Sequence, residues 1–304
     1  MKIIEEQEEF GNRTNWGLGR EMWYSNDFFI NSLILDFITD DPDDELNNEL
    51  KKVYVGMLPT PGFNAEALNR DEECEGYLIT IRFEVDLQLT FMSTLVSCLI
   101  YGLKAGTEEE MNNLLPTMKE ALSDLTDKEA LDKKLHENKQ FDEQFDEQID
   151  HKSPRLHIAA DLFAAGMSSI LGHEIGHHFL KHTESNGRNI VAKFIPTEVT
   201  FNQLHLDEFA ADRFSFDLLI KRMKEKNDNI LFAPLMVILM IALEENPEEP
   251  SQTHPSLKNR YLNLLSEVSK HDEAVALRLQ ETFNHVATWI NIALGGRWET
   301  EWWK

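Results

Sequence analysis

One stretch constrains this chain more than any other: Leu171-Gly-His-Glu-Ile-Gly-His-His-Phe-Leu180. His173 and His177 are four residues apart, so a helix carries them on one face. Two neutral imidazoles placed in this way fill two corners of a tetrahedral zinc ion. Glu174 directly follows the first imidazole, so its carboxylate stands beside the metal rather than on it. From there it can take a proton from a metal-bound water. The flanks supply the helix: Leu162, Phe163, Met167, Ile170, Leu171, Ile175, Phe179 and Leu180 are apolar and read as a buried face. Ser153-Pro154 is the expected opening of this helix, with Ser as cap and Pro at the first turn. Asn186-Gly187 is its expected close. A helix of that length invites a break, and Gly166 is the place for one.

A zinc site needs a third protein ligand and a fourth position open to water. The stretch from His205 to Phe216 offers it. Glu208 and Asp212 lie one turn apart beside Phe209, Ala210, Ala211 and Phe214, a setting that suits a metal better than solvent. Asp212 is placed to accept the second ring N–H of His173 and so fix its tautomer. His205, three residues before Glu208, competes for the same metal face. Three histidines would leave a more charged centre; two histidines and a glutamate are the set used for peptide hydrolysis. Asp212 is one turn from Glu208 but seven residues from His205, which favours Glu208.

The rest of the chain supplies the frame. Tyr77, Ile79, Ile81, Phe83 and Val85 alternate with Leu78, Thr80, Arg82 and Glu84, which predicts a strand with one wet face. A helix is expected to follow to about Lys104, and a short strand to precede it at Lys52 to Gly56. Residues 105–150 are charged and end in Phe141-Asp-Glu-Gln and Phe145-Asp-Glu-Gln in tandem. They read as a solvated connection, with a cover over the site as the sharper reading. Helices are expected at Asp228 to Glu245, Pro255 to Leu265 and 271–293. The apolar runs Leu87 to Leu103 and Ile230 to Leu243 are short of the ~20 residues a membrane span requires and read as core. The tail, Trp298-Glu-Thr-Glu-Trp-Trp303, either packs on the domain or docks on a partner. A formal charge of -25 argues against nucleic acid as a partner. Cys74 and Cys98 are the only cysteines, which fits reduced thiols in a cytoplasmic protein.

His173-Glu-Ile-Gly-His177 together with Glu208-Phe-Ala-Ala-Asp212 resembles the gluzincin metallopeptidases of the CAAX prenyl-protein protease and HtpX heat-shock protease type. His182 is similar to a histidine that ends the metal helix in that family. Asn64-Ala65, ahead of Gly76-Tyr-Leu-Ile, resembles its sheet edge. Thr253-His-Pro255, with Asn259-Arg260 after it, resembles its late His-Pro segment. The resemblance spans residues 60–265 in patches. Two features depart from it: residues 86–155 form a longer insertion, and no membrane span is evident. A soluble relative similar to the phage-exclusion protease Lit, which cuts an intracellular target when triggered, fits that departure.

These readings combine into an expected mainly helical α+β fold, a zincin-like single domain over 1–304 with a small antiparallel sheet. Residues 1–60 form its N-terminal region, 105–150 its insertion and 151–293 its helical zinc-site core. The expected activity is that of a zinc endopeptidase on a protein or peptide substrate. His173, His177 and Glu208 hold the metal, Glu174 is the general base and Asp212 orients His173. By the resemblance, His254 stabilises the oxyanion. The substrate is expected to lie along the strand from Gly76 to Val85. The rival is a non-catalytic protein with a closed structural zinc, its fourth ligand drawn from His178 or His205. Glu174 argues against it, since a closed site has no use for a base.

Overall fold

The computed structural model describes residues 33–39, 41, 44–58, 62–68, 76–105, isolated positions between 116 and 123, 154–183, 202–222 and 227–304. The expected Ser153 cap, the Asn186-Gly187 close, the Phe-Asp-Glu-Gln repeat and Cys74 lie outside these residues. The chain runs α1 (Glu45–Leu50), β1 (Val53–Leu58), β2 (Ala65–Ala67), β3 (Tyr77–Arg82), α2 (Phe83–Ala105), α3 (Pro154–Phe179), α4 (Gln203–Arg222), α5 (Asp228–Glu244), α6 (Leu257–His271) and α7 (Glu273–Ala293). It is mainly helical with one small sheet, an α+β architecture.

The sheet is mixed rather than antiparallel. Its order is β1-β3-β2, with β1 parallel and β2 antiparallel to β3. The strand expected to carry substrate is therefore the central one and has no open edge; the edges are β1 and β2. The wet face is also missing, because Tyr77 through Ile81 are all buried. Alternation over Phe83 and Val85 overran the strand, which gives way to α2 at Phe83. Val85, Leu89, Met92, Val96 and Leu99 recur there at intervals of three and four and are fully buried.

α3 is the hub. It packs against α4, α2 and α5, and it touches β2 and β3. It runs unbroken through Gly166, where a Cβ would come within 2.7 Å of Leu89 Cδ1 and 3.3 Å of Met236 Cε. That glycine lets α2 and α5 close on the hub; it does not break it. Each fully buried Leu or Met around it contributes ~1.5–3 kcal/mol of transfer free energy. α5 is apolar nearly all round and buried, with Asn227 capping its first turn through Ile230 N–H. No described helix is long and apolar enough to cross a membrane. The tail folds back onto the domain: Trp298 Nε1 donates to Ala242 O at 2.9 Å, and Trp302 stacks edge-on against Tyr261 and Phe283.

Candidate metal centre

Two antiparallel helices build the site, and small residues set their separation. A Cβ on Gly176 would meet Ala211 Cα at 3.2 Å and Ala211 O at 3.3 Å; one on Gly172 would meet Ser215 Oγ at 2.8 Å. Ser215 Oγ in turn donates to Ser169 O at 2.7 Å. Because α3 and α4 approach this closely, Glu208 and Asp212 reach across to His177 and His173.

His173 Nε2 and His177 Nε2 are 3.1 Å apart. Glu208 Oε2 is 3.3 Å from the first and Glu208 Oε1 is 3.2 Å from the second. Ligands at about 2.0–2.1 Å from a tetrahedral zinc ion stand roughly 3.3 Å from one another. Among the described residues these three form the group with ligand atoms all within 4.8 Å. The donor set fits a metal on two further counts. Glu208 Oε2 is buried without a hydrogen-bond partner. Three buried carboxylates, Glu174, Glu208 and Asp212, also face a single buried guanidinium, that of Arg260. With neutral imidazoles this leaves two negative charges in a largely buried site, which a divalent cation would neutralise.

Asp212 Oδ1 lies 2.9 Å from His173 Nδ1, the nitrogen turned away from the cluster. The Asp212 carboxylate is gripped by Arg260, whose Nε and Nη2 donate at 2.9 and 2.6 Å. Burial opposes the Asp212 charge, yet Arg260 holds its carboxyl below the usual range. Burial also opposes charge on Glu208, and the two imidazoles hold it well below that range. On His173, burial is outweighed by Asp212 and Glu208, which push its pKa up to about 10. Carboxylates that hold a proton so firmly there would hold a metal cation in its place.

Glu174 sits beside the cluster and is buried. Its Oε2 accepts the Ala67 N–H of β2 at 2.7 Å. That amide points outward because its neighbours face β3: Leu68 N–H bonds to Leu78 O and Arg82 N–H to Asn64 O. The edge facing the site is therefore β2.

His254 lies on the loop before α6, which Ser256 caps through Asn259 N–H. Its Nε2 is 3.7 Å from Glu208 Oε1, and its side chain is 54% exposed. Thr253 Oγ1, 2.8 Å away, steadies its Nδ1. Neither candidate for a fourth ligand reaches the cluster. His205 Nε2 donates to Ser251 O at 3.0 Å. His178 lies between Leu78 O and Thr183 Oγ1, at 3.0 Å from each.

Sequence reasoning gave no role to Arg260 or Asp207. A buried carboxylate at Asp212 calls for a counter-cation, and that demand is the signal that points to Arg260. Helix α3 also ends earlier than its expected close, at Phe179, through Lys181 in the left-handed region at φ 66. His182 N–H then bonds to His177 O at 2.8 Å, so an orphan carbonyl of the last turn is satisfied without glycine.

The family model for Peptidase U49 matches residues 99–280, more than half of the chain, including His173, Glu174, His177, Glu208, Asp212, His254 and Arg260. No curated protein and no solved structure matches the chain.

Proposed function

The chain belongs to the Peptidase U49 family, peptidases of the Lit type, and from that premise we propose that it is a zinc-dependent endopeptidase of the zincin type, acting on a protein substrate. The observation that carries the reading is the convergence of His173, His177 and Glu208 at the separations of tetrahedral ligands, with excess buried negative charge around them. Two imidazoles four residues apart on one helix, with Glu174 directly after the first and a carboxylate from a second helix, are the arrangement of a zinc peptidase. When bound, the ion supplies a Lewis acid that polarises the scissile carbonyl and makes water acidic enough to attack at neutral pH.

The chain's own groups do the rest. Glu174 Oε2 is occupied by the Ala67 N–H, so the other oxygen would serve as the base toward the attacking water. It takes the water's proton and returns it to the leaving amine. Asp212, fixed by Arg260, keeps His173 in the tautomer whose Nε2 lone pair faces the cluster. His254, whose Nε2 lies 3.7 Å from Glu208 Oε1, would donate to the oxyanion. The substrate lies extended along β2, whose outward groups face the site, and not along β3. A closed structural zinc has less support, since His178 and His205 are both engaged elsewhere.

Glu174→Gln is the test. The variant keeps the size of the side chain and loses its basicity. Zinc content, read by mass spectrometry, should stay at the wild-type level. Turnover of a quenched-fluorescence peptide library should fall by at least about a hundredfold. A variant that loses its zinc, or cleaves as the wild type does, would remove Glu174 from this role.

A further inference from the structure

We propose that His182 is a positioning residue for the second metal ligand, His177, and that Asp207 holds His182 in the tautomer this requires. The inference rests on the zinc reading and deepens it. His177 Nδ1, the ring nitrogen turned away from the cluster, lies 2.9 Å from His182 Nδ1. The two rings meet edge to face, with centroids 5.1 Å apart. A nitrogen–nitrogen contact this short needs one proton between the two rings and only one.

Which ring carries it follows from the metal. His177 Nε2 must keep its lone pair for the ion, so the proton of its neutral ring sits on Nδ1. His177 Nδ1–H therefore donates and His182 Nδ1 accepts. The proton of His182 is then on Nε2. That atom is buried, has no hydrogen-bond partner, and has Asp207 Oδ1 at 3.6 Å. A carboxylate on that side favours the N–H form there. Asp207 is itself held by Gln203, whose Nε2 donates to its Oδ1 at 2.8 Å.

The delivery of His182 is built into the backbone. The left-handed turn at Lys181 returns the chain over the last turn of α3, and His182 N–H bonds to the carbonyl of the residue whose ring it faces. Both ligating imidazoles thus have a partner of their own. His173 has Asp212 backed by Arg260; His177 has His182 backed by Asp207. The second pair sets a neutral ring against the ligand where the first sets a carboxylate, so the charge of Asp207 stands one ring further from the cluster.

The test measures zinc affinity by chelator competition, together with the visible spectrum of the cobalt-substituted protein and thermal unfolding of the apo form. His182→Leu keeps bulk and removes the acceptor. It should weaken zinc by roughly ten- to a hundredfold, the usual loss for a partner of a metal-bound imidazole, and move the cobalt bands. His182→Asn places a carbonyl oxygen near the position of Nδ1 and should recover most of that loss. Equal affinity and superposable cobalt spectra in wild type and His182→Leu would overturn the inference and leave the zinc reading standing. So would a loss that His182→Asn does not rescue, since packing alone would then account for it. Wild-type protein that takes up no zinc would overturn the zinc reading and this inference with it. Should His182→Leu fail to fold, nitrogen-15 spectra of the wild-type zinc form decide. Protonation of His177 at Nδ1 and His182 at Nε2 is expected, and a His182 protonated at Nδ1 overturns the assignment.

Discussion

At the scale of single residues, the proposed metal centre sets two imidazoles and a carboxylate around one position. Glu208, with both oxygens toward the two imidazoles, should matter most. Glu208→Ala is expected to lose zinc affinity severely. Asp212→Ala should lose roughly ten- to a hundredfold. His205→Ala should change little, because its Nε2 is committed to Ser251 O. Chelator competition on the three variants ranks them, and a site emptied by His205→Ala but not by Glu208→Ala would defeat the ligand assignment. Arg260 tests the neighbouring ion pair. Arg260→Met leaves the buried Asp212 carboxylate with His173 but without its guanidinium, so urea unfolding should show a loss of up to about 3–5 kcal/mol, and a second change, Asp212→Asn, should restore part of it. A variant as stable as wild type would mean that the pair does not hold Asp212. The convergence of His173, His177 and Glu208 is legible in the sequence, since helical spacing puts two imidazoles on one face and the Glu208–Asp212 spacing and the resemblance point to the third partner. Arg260 and Asp207 are not legible as partners, because which helix faces which is decided by packing and not by local pattern.

At the scale of elements, the close approach of α3 to α4 sets the site. At Gly176 the facing atoms are those of the Ala211 backbone, which cannot rotate away as a side chain would. Gly176→Ala should therefore push α4 outward by a few tenths of an ångström. We expect a stability loss of about 1–3 kcal/mol in urea unfolding, accompanied by weaker zinc binding. Unchanged stability and affinity would show that the helices have room to spare. The helices themselves are legible, and α5 and α7 start and end within a few residues of their sequence expectations. The sheet is less so. A period of two marks β3 as a strand, but it does not say whether the strand sits at an edge or in the middle. Only the pairing of β1 and β2 on either side makes it central. Gly166 misleads for a related reason: alone it looks like a break, while in place it is a contact.

At the scale of the whole molecule, one helix gathers the sheet and three other helices, and the site sits where the sheet edge meets it. Residues 137–150 carry no sustained apolar period and are not expected to join that core. Limited proteolysis should cut there first, and a protein lacking them should still bind zinc and unfold in one cooperative step. A deletion that unfolds gradually would make the segment structural. The single bond from Ala67 N–H to Glu174 has a kinetic meaning at this scale. The strand that would read a peptide and the group that would move its proton are mechanically joined. On the proposed reading, a peptide that shifted β2 on docking would re-aim the base in the same motion, so a poorly fitting sequence would be penalised in turnover number as well as in occupancy. Selectivity in such an enzyme would be written into the rate of each encounter, and tight binding alone would not identify its true target.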